Sequence, residues 1–310
     1  MKRWLALPLK EKKPIDERLS IVSFLCDELN FSEFLTKELK SIGDLERLIS
    51  KVSVKKASPK DVLQLKIGLQ SCLSIINLTK TISNQAIKSL VDRINPCKTL
   101  IEKIENWLNP EAPVLVSKGG VINNGINEEL DEYRRLAFSG KDYLLNLQRK
   151  ETEKTGIPSL KIGFNNVFGY YLEVTNTHKN KVPEEWIRKQ TLVNAERYIT
   201  PELKEYESKI LSAEEKILQI ETELYNELVE FVDNYLEPIQ INAQSIATLD
   251  CLLSFAKISS KLQYTKPHIL EEKSLSILQG RHPVIEQNLP IGENFVPNDI
   301  HLDTETQQIM

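Results

Sequence analysis

The sequence predicts a mainly α-helical protein in which a small β-rich segment lies between two long helices. Apolar residues recur at helical spacing over most of the 310-residue chain. Between residues 158 and 199 that spacing gives way to β-branched and aromatic residues, which favour strands. Prolines and glycines cluster where the helical pattern stops. The length and the apolar content are sufficient for two or three structural units around a substantial core.

Residues 1–126 have the pattern of a helical core domain. Apolar side chains at helical spacing begin after Pro14 and continue to Trp107, with interruptions at Pro59 and Pro96. The helical segments between these breaks are long enough to pack as a bundle. The segments do not repeat with a fixed period, so a bundle is favoured over a solenoid.

A loop rich in proline, glycine and asparagine spans residues 109–127. Its two short apolar runs, Val114–Val116 and Val121–Ile122, predict a small hairpin with its turn at Lys118–Gly120. We assign no chemistry to this corner.

The first long helix is predicted over residues 127–157. Asn127 is a suitable N-cap, and Glu128 and Glu129 place negative charge at the positive end of the helix dipole. This helix leads directly into the β-rich segment.

The second long helix is predicted over residues 200–237. Thr200 supplies a capping hydroxyl, Pro201 occupies the first turn where its missing N–H has no effect, and Glu202 adds a carboxylate. A heptad-like apolar seam follows, and the helix is predicted to be about 50 Å long at ~1.5 Å per residue. Both long helices meet the β-rich segment, so they are predicted to pair in antiparallel orientation.

The remaining segments are predicted to return the chain to the core and then to change from helix to strands and turns. Residues 238–264 are predicted to form a helix that packs back onto the core bundle. From residue 265 onward, prolines separate short apolar runs that are typical of strands and turns. We interpret residues 265–310 as the first strands of a domain that is incomplete in this chain.

The β-rich segment, residues 158–199, is predicted to form a small sheet. Leu160–Phe164 and Tyr170–Thr175 are predicted to be paired strands joined through Asn165 and Asn166. Its aromatic residues favour a small internal core over platforms that stack on bases. They are Phe164, Phe168, Tyr170, Tyr171 and Trp186.

The chain as a whole is not a polycation. Its net charge is -4, so any nucleic-acid surface is confined to a local patch. Residues 160–200 contain six Lys and Arg against four Glu, a local charge of +2. On composition alone, the polar surface of a small subdomain is favoured over contact with DNA.

Metal, membrane and catalytic sites are not predicted. The four cysteines lie far apart among apolar residues, and the four histidines do not have the spacing of metal ligands. The cysteines are therefore expected to be reduced thiols in a cytoplasmic protein. Signal-peptide and membrane-span patterns are absent, as are the GxxxxGK[ST], GxSxG and HExxH motifs.

Several long segments of the sequence, in the same order and over essentially its whole length, resemble the bacterial MutS-type DNA mismatch repair family. They are KRWLALPL at residues 2–9, GDLERL at 43–48, GGVINNGINEELDEYR at 119–134, GFNNVFGYYLEV at 163–174, RKQTLVNAERYITPELKEYE at 188–207 and GRHPVIEQ at 280–287.

The resemblance implies a helical core, two lever helices and, between them, a clamp subdomain that closes over the DNA backbone. Asn165 and Asn194 fall at clamp positions expected to meet the phosphates, with Arg188 and Lys189 as nearby positive charge. Val193 occupies a place where relatives can have a basic residue, which is a departure from the family pattern.

The resemblance also implies partners and a cofactor for the intact protein. These are duplex DNA, a second copy in a homodimer, other mismatch repair proteins, and ATP with Mg²⁺. Phe295 and Val296 resemble the residues that flank the adenine, and the phosphate-binding loop is expected just past Met310. The chain is thus expected to be a nucleoid-associated middle part that binds no cofactor and has no ATPase activity. The competing hypothesis is a structural helical scaffold that binds another protein.

Overall fold

The computed structural model describes residues 2–165, 167, 169–290 and 292–305, apart from the side chains at positions 3, 140 and 141. Most described residues are helical, and a small antiparallel sheet lies between the two longest helices, so the mainly helical fold class is confirmed. The helices are Lys2–Ala6 (α1), Lys12–Asp27 (α2), Leu29–Ile42 (α3), Leu45–Ser53 (α4), Pro59–Thr79 (α5), Gln85–Val91 (α6), Lys98–Trp107 (α7), Glu128–Thr155 (α8), Pro201–Asp233 (α9), Leu236–Leu262 (α10) and Pro283–Gln287 (α11). The strands are Lys161–Asn165 (β1), Gly169–Thr175 (β2), Ile187–Thr191 (β3), Ala195–Ile199 (β4), Leu275–Gly280 (β5) and Asn298–Leu302 (β6).

The chain divides into two compact units. The first contains Met1–Lys37, Asn77–Arg93 and the chain from Ser245 onward. Within it, Arg18 places its guanidinium 3.6 Å from the centre of the Trp4 ring. Strands β5 and β6 form a separate antiparallel pair whose side chains are mostly exposed.

The second unit contains Glu38–Ile76 and Ile94–Gln244. Its apolar core includes residues of α4, α5, α7 and α9. The fully buried side chain of Asn242 accepts a hydrogen bond from the backbone N–H of Asn95 at 2.7 Å and donates to its carbonyl at 2.8 Å. These paired bonds satisfy an amide that would otherwise be costly to bury.

Helices α8 and α9 form an antiparallel pair within the second unit. Arg134 in the first turns of α8 contacts Glu221 in the second half of α9, whereas Tyr143 in the middle of α8 stacks on Tyr206 near the start of α9. The two tyrosine rings are parallel, with centroids 3.4 Å apart. Tyr143 also donates a hydrogen bond to Glu202, and burial raises the pKa of its phenol.

The hairpin predicted at Val114–Ile122 is wrong. Val116–Lys118 forms a 3-10 turn instead, and Ile122 pairs with Leu108, which follows α7. The backbone N–H groups of Gly120 and Val121 donate to the carboxylate of Glu221 on α9. Because that distant carboxylate is the acceptor for these groups, the loop has a different geometry from a local hairpin.

The four-stranded sheet has the order β1-β2-β4-β3, and every neighbouring pair is antiparallel. The predicted pairing of the first two strands is confirmed, with Phe164 opposite Tyr170 and Asn165 opposite Gly169. Asn166, which was predicted to join these strands, lies outside the described residues. Strand β4 leads into α9 through Thr200, whose hydroxyl accepts from the N–H of Leu203.

Among the helices of the described residues, α5 is long and apolar enough to cross a membrane by length and composition alone. About half of its most apolar window, 44%, is buried inside the protein. A core helix of a soluble protein passes the same test, so α5 is weak support for a membrane span.

Candidate nucleic-acid interface

One face of the four-stranded sheet packs against α8 and the start of α9. The buried cluster between them combines aliphatic and aromatic side chains from the helices, the strands and their connections; its members include Leu147, Ile157, Leu172, Trp186, Tyr198 and Leu203. Trp186 is buried in this cluster and Tyr170 packs against it, which supports the interpretation of these aromatic residues as a small core. Tyr171 is buried outside the cluster, with the Arg197 guanidinium 4.3 Å from its ring centre. Phe164 is half-exposed and meets Tyr170 edge-on at 5.0 Å, and Phe168 lies outside the described residues.

The outer edges of the two outer strands, β1 and β3, have different features. The side chain of Gln148 on α8 donates to the carbonyl of Leu160 at 3.1 Å and accepts from the N–H of Ile162 at 3.5 Å, so it covers the outer edge of β1. The outer strand β3 carries an irregularity at Lys189, between the paired residues Arg188 and Gln190. A bulge that carries a lysine disfavours pairing of the open strand edge with another strand, and it leaves a positive charge on the surface.

The turn between β3 and β4 projects from one end of the sheet. Val193 and Asn194 are exposed there. Asn176 fixes the turn: its side chain donates to the carbonyl of Val193 at 2.8 Å, and its backbone N–H donates to the carbonyl of Asn194 at 3.1 Å. The Asn194 side chain is therefore presented to solvent on an ordered turn.

Arg188 and Lys189 differ in their partners although they are adjacent. The Arg188 guanidinium donates to Glu196 at 3.3 Å, and Glu196 also accepts from the phenol of Tyr198. The Tyr198 bond and the Arg188 charge lower the pKa of Glu196, and burial raises the pKa of Tyr198 to about 12. In the described part of the chain Lys189 makes no ion pair, so it is the freer of the two cations.

Asn165 lies at the other end of the sheet from Asn194. Asn165 is opposite Gly169, the first residue of β2, whereas the residue after Asn194 is opposite Thr175, the last residue of β2. At ~3.4 Å per residue the two asparagines are about 20 Å apart along the sheet. The Asn165 side-chain oxygen accepts from the N–H of Val167 at 2.7 Å. The structure therefore gathers Arg188, Lys189 and Asn194 on the β3–β4 hairpin and places Asn165 separately.

The family model of MutS family domain IV matches residues 125–216. The DNA mismatch repair protein MutS of Phocaeicola vulgatus is 54% identical over all 310 residues, which correspond to 36% of that protein. The chain belongs to the MutS family. The MutS proteins of Bacteroides fragilis and Christiangramia forsetii are 53% and 54% identical over the same full length, again 36% of each relative.

The domain IV match contains the whole candidate interface of this MutS-family chain. It begins just before α8, includes the four-stranded sheet, and ends in the first half of α9. The chain spans about a third of the length of the curated MutS relatives that it matches.

Two sets of polar residues at the interface were missed by sequence reasoning. Lys179 and Lys181 lie in a 3-10 turn, Asn176–Lys181, that follows β2 at the same end of the sheet as Asn194. Lys181 donates to the carbonyl of Gly156, whereas Lys179 is exposed. Their charge was counted in the sequence, but their position at one end of the sheet depends on strand order and register.

Glu207 on α9 is the second omission. Its carboxylate accepts from the backbone N–H of Tyr170 at 2.9 Å. Gly169 has φ +78°, and a Cβ built on it would lie 2.1 Å from the Glu207 carboxylate. In the sequence Glu207 has the appearance of an ordinary surface carboxylate of a charged helix, so the only signal was the glycine before Tyr170.

The residues predicted to flank adenine, Phe295 and Val296, lie in the first unit, just before β6. Phe295 is half-buried and Val296 is exposed. In the ranges that the structure covers, His, Cys, Asp and Glu form no group of three or more suited to a metal ion. All four cysteines are free thiols, and burial raises the pKa of Cys72 to about 12 and that of Cys97 to about 11.

Proposed function

We propose that this chain is the part of a DNA mismatch recognition protein that closes on duplex DNA. In this proposal residues 158–199 are the clamp, and residues 127–157 and 200–237 are the lever helices that carry it. The clamp binds the sugar–phosphate backbone without sequence preference. The observation that carries the proposal is the MutS family domain IV match, which coincides with the sheet and the adjoining parts of α8 and α9.

The chemistry of the sheet surface supports contact with the sugar–phosphate backbone of DNA. The side chains proposed to meet phosphates are Asn165, Arg188, Lys189 and Asn194. They are hydrogen-bond donors or cations, which suits phosphate oxygens and requires no reading of base edges. The two asparagines are about 20 Å apart along the sheet. They would therefore meet different phosphates, with the cations of β3 nearer to Asn194.

The rest of the proposal concerns the intact protein. Residues 1–126 and 238–264 form its helical core, and residues 265–310 begin an ATPase domain. Phe295 and Val296 flank the adenine of ATP, which binds with Mg²⁺. Its partners are duplex DNA, a second copy in a homodimer and other mismatch repair proteins, and it acts in the cytoplasm at the nucleoid. We expect no ATP hydrolysis by these 310 residues, because they contain no GxxxxGK[ST] motif.

Duplex binding across a salt series tests the proposal. A grip on the backbone by cations weakens steeply as salt rises, because binding releases counterions from the phosphates. The matched comparison is a variant with Asn165, Arg188, Lys189 and Asn194 all changed to alanine, which should bind more weakly and with a shallower salt dependence. Unchanged affinity in that variant would contradict the clamp assignment and favour a helical scaffold that binds another protein.

A further inference from the structure

Helix α9 carries two carboxylates that accept hydrogen bonds from backbone groups outside the helix. Glu207, in its second turn, accepts from Tyr170 at the start of β2. Glu221 accepts from Gly120 and Val121 in the loop before α8. The two lie about four turns apart and so face the same side of the helix. The sheet and the loop are thus both attached to α9 by carboxylates.

The Glu207 carboxylate lies directly against the backbone at the start of β2. A Cβ at Gly169 would lie 2.1 Å from a carboxylate oxygen, so a side chain there would displace the end of the Glu207 side chain and break its hydrogen bond to Tyr170. The left-handed conformation of Gly169, at φ +78°, turns the next N–H toward the acceptor. Asn165 is opposite Gly169 in the sheet. The orientation of that end of the sheet therefore depends on Glu207.

We propose that Glu207 is a positioning residue for the DNA contact: its hydrogen bond to Tyr170 sets the angle between the four-stranded sheet and α9. This inference rests on the proposed function, since it assumes that the sheet binds duplex DNA. Glu207 does not itself touch DNA. It acts by holding the β1–β2 end of the sheet, and with it the separation and direction of the asparagine and lysine side chains.

The sign of the effect distinguishes positioning from simple electrostatics. Removing a negative charge from a surface that binds a polyanion should raise affinity, because the repulsion of phosphates is reduced. Loss of a positioning bond has the opposite effect, because the contacts no longer match the spacing of the phosphates. A fall in affinity on removal of the Glu207 carboxylate thus reports positioning.

The experiment compares three variants of this chain, Glu207→Ala, Glu207→Gln and Glu205→Ala. Glu205 is the matched control, because it is an exposed carboxylate in the same part of α9 and, among the residues that the structure describes, its ion pair is with Lys209 at 2.9 Å. A Lys189→Ala/Asn194→Ala variant reports the DNA contact itself. Each protein is assayed for affinity to one duplex at fixed salt and for hydrogen exchange of the Tyr170 amide.

Glu207→Ala is expected to weaken duplex binding about threefold to tenfold, the range for loss of one hydrogen bond, and to speed exchange at Tyr170. Glu207→Gln should bind within about twofold of the original chain, because its amide oxygen also accepts from an N–H. Glu205→Ala should bind equally or more tightly. Together these results would support the inference.

Two results would overturn it. One is Glu207→Ala binding as tightly as Glu205→Ala while Lys189→Ala/Asn194→Ala binds weakly, which would leave the proposed function intact. The other is unchanged exchange at Tyr170 in Glu207→Ala. Failure of the proposed function looks different: neither the original chain nor any variant would show salt-dependent duplex binding.

Discussion

Helix α9 has two carboxylates in different surroundings, Glu207 in its second turn and Glu221 in its second half. At Glu221 the carboxylate is fully buried, with 0% of its surface exposed, and accepts from two backbone N–H groups and from Arg134 at 2.6 Å. At Glu207 the carboxylate is half-buried and accepts from one N–H group. We call each of these contacts between α9 and a neighbouring segment a joint. A buried carboxylate with several donors forms a joint that stays fixed. A partly solvated carboxylate with a single donor forms a joint that can open.

The contacts of Glu207 and Glu221 differ in what compensates the carboxylate when one of its partners is lost. If the Tyr170 bond breaks, water can solvate Glu207, and the net loss is that of an ordinary hydrogen bond, about 0.5–1.5 kcal/mol. If Arg134 leaves Glu221, a buried charge loses its compensating cation, which costs about 3–5 kcal/mol. The loop before α8 should therefore stay on α9 under conditions in which the contact between Glu207 and Tyr170 breaks.

The largest effect is expected for Arg134→Ala. It leaves Glu221 buried without a cation, so it should lower the free energy of unfolding by about 3–5 kcal/mol in urea titrations. Arg135→Ala is the matched control, because its neighbour Arg135 is exposed and should change stability by less than about 0.5 kcal/mol. Equal stability of the two variants would show that the Glu221 joint is not fixed by charge.

The next effect compares glycines at the two joints. Gly120 has φ +74°, and a Cβ there would meet nothing within 4 Å, so Gly120→Ala should cost only the left-handed conformation, about 1–2 kcal/mol. Gly169→Ala should cost about 0.5–1.5 kcal/mol more, because its Cβ displaces the Glu207 carboxylate and breaks the hydrogen bond to Tyr170.

Combining Gly169→Ala with Glu207→Ala removes the carboxylate that the new Cβ displaces. Because the Glu207–Tyr170 bond can be lost only once, the free energy of unfolding should then stay close to that of Gly169→Ala alone, about 0.5–1.5 kcal/mol below the Gly120→Ala value. If the double variant is as unstable as the sum of its single changes, the close approach of β2 to α9 is not what requires the glycine.

A smaller change in stability is expected for Glu207→Ala alone, about 0.5–1.5 kcal/mol. This loss should be well below that of Arg134→Ala, although Glu207→Ala is the variant expected to weaken DNA binding. Thermal unfolding of both variants, measured side by side, checks the order. The reverse order would contradict the contrast between a fixed and an opening joint.

The smallest effect is expected in the salt dependence of DNA binding, and it distinguishes the adjacent cations Arg188 and Lys189 of β3. Lys189→Ala should reduce the slope of log affinity against log salt by about one, because a free lysine releases one counterion from DNA. Arg188→Ala should reduce it less, because Arg188 is already paired with Glu196 at 3.3 Å. A larger change for Arg188→Ala would mean that DNA displaces Glu196 from its partner.

Features governed by neighbouring residues could be predicted from the sequence. Asn127 caps α8 by accepting from the N–H of Leu130, and Thr200 caps α9 in the same way. The pairing of β1 with β2 also follows from local alternation and a short turn. These are local effects, which propensity and capping chemistry describe well.

Specific hydrogen bonds between distant residues could not be predicted. The hairpin at Val114–Ile122 was predicted from local pattern, but its backbone donors bind Glu221, far along the chain. The partners of Arg188 and Glu207 likewise depend on strand register and on the approach of β2 to α9. The candidate site residues were therefore named by resemblance, while the separation of Asn165 from Asn194 became visible only in the folded sheet.

The most direct test of the proposed backbone grip is binding of this chain to two duplexes that differ only by one mismatched base pair. Contacts to phosphates alone carry no base information. The affinities should therefore agree within about twofold, and both should fall steeply with added salt. Tighter binding to the mismatched duplex by about tenfold or more would show that these residues read the mismatch themselves, which would contradict a sheet that holds only the backbone.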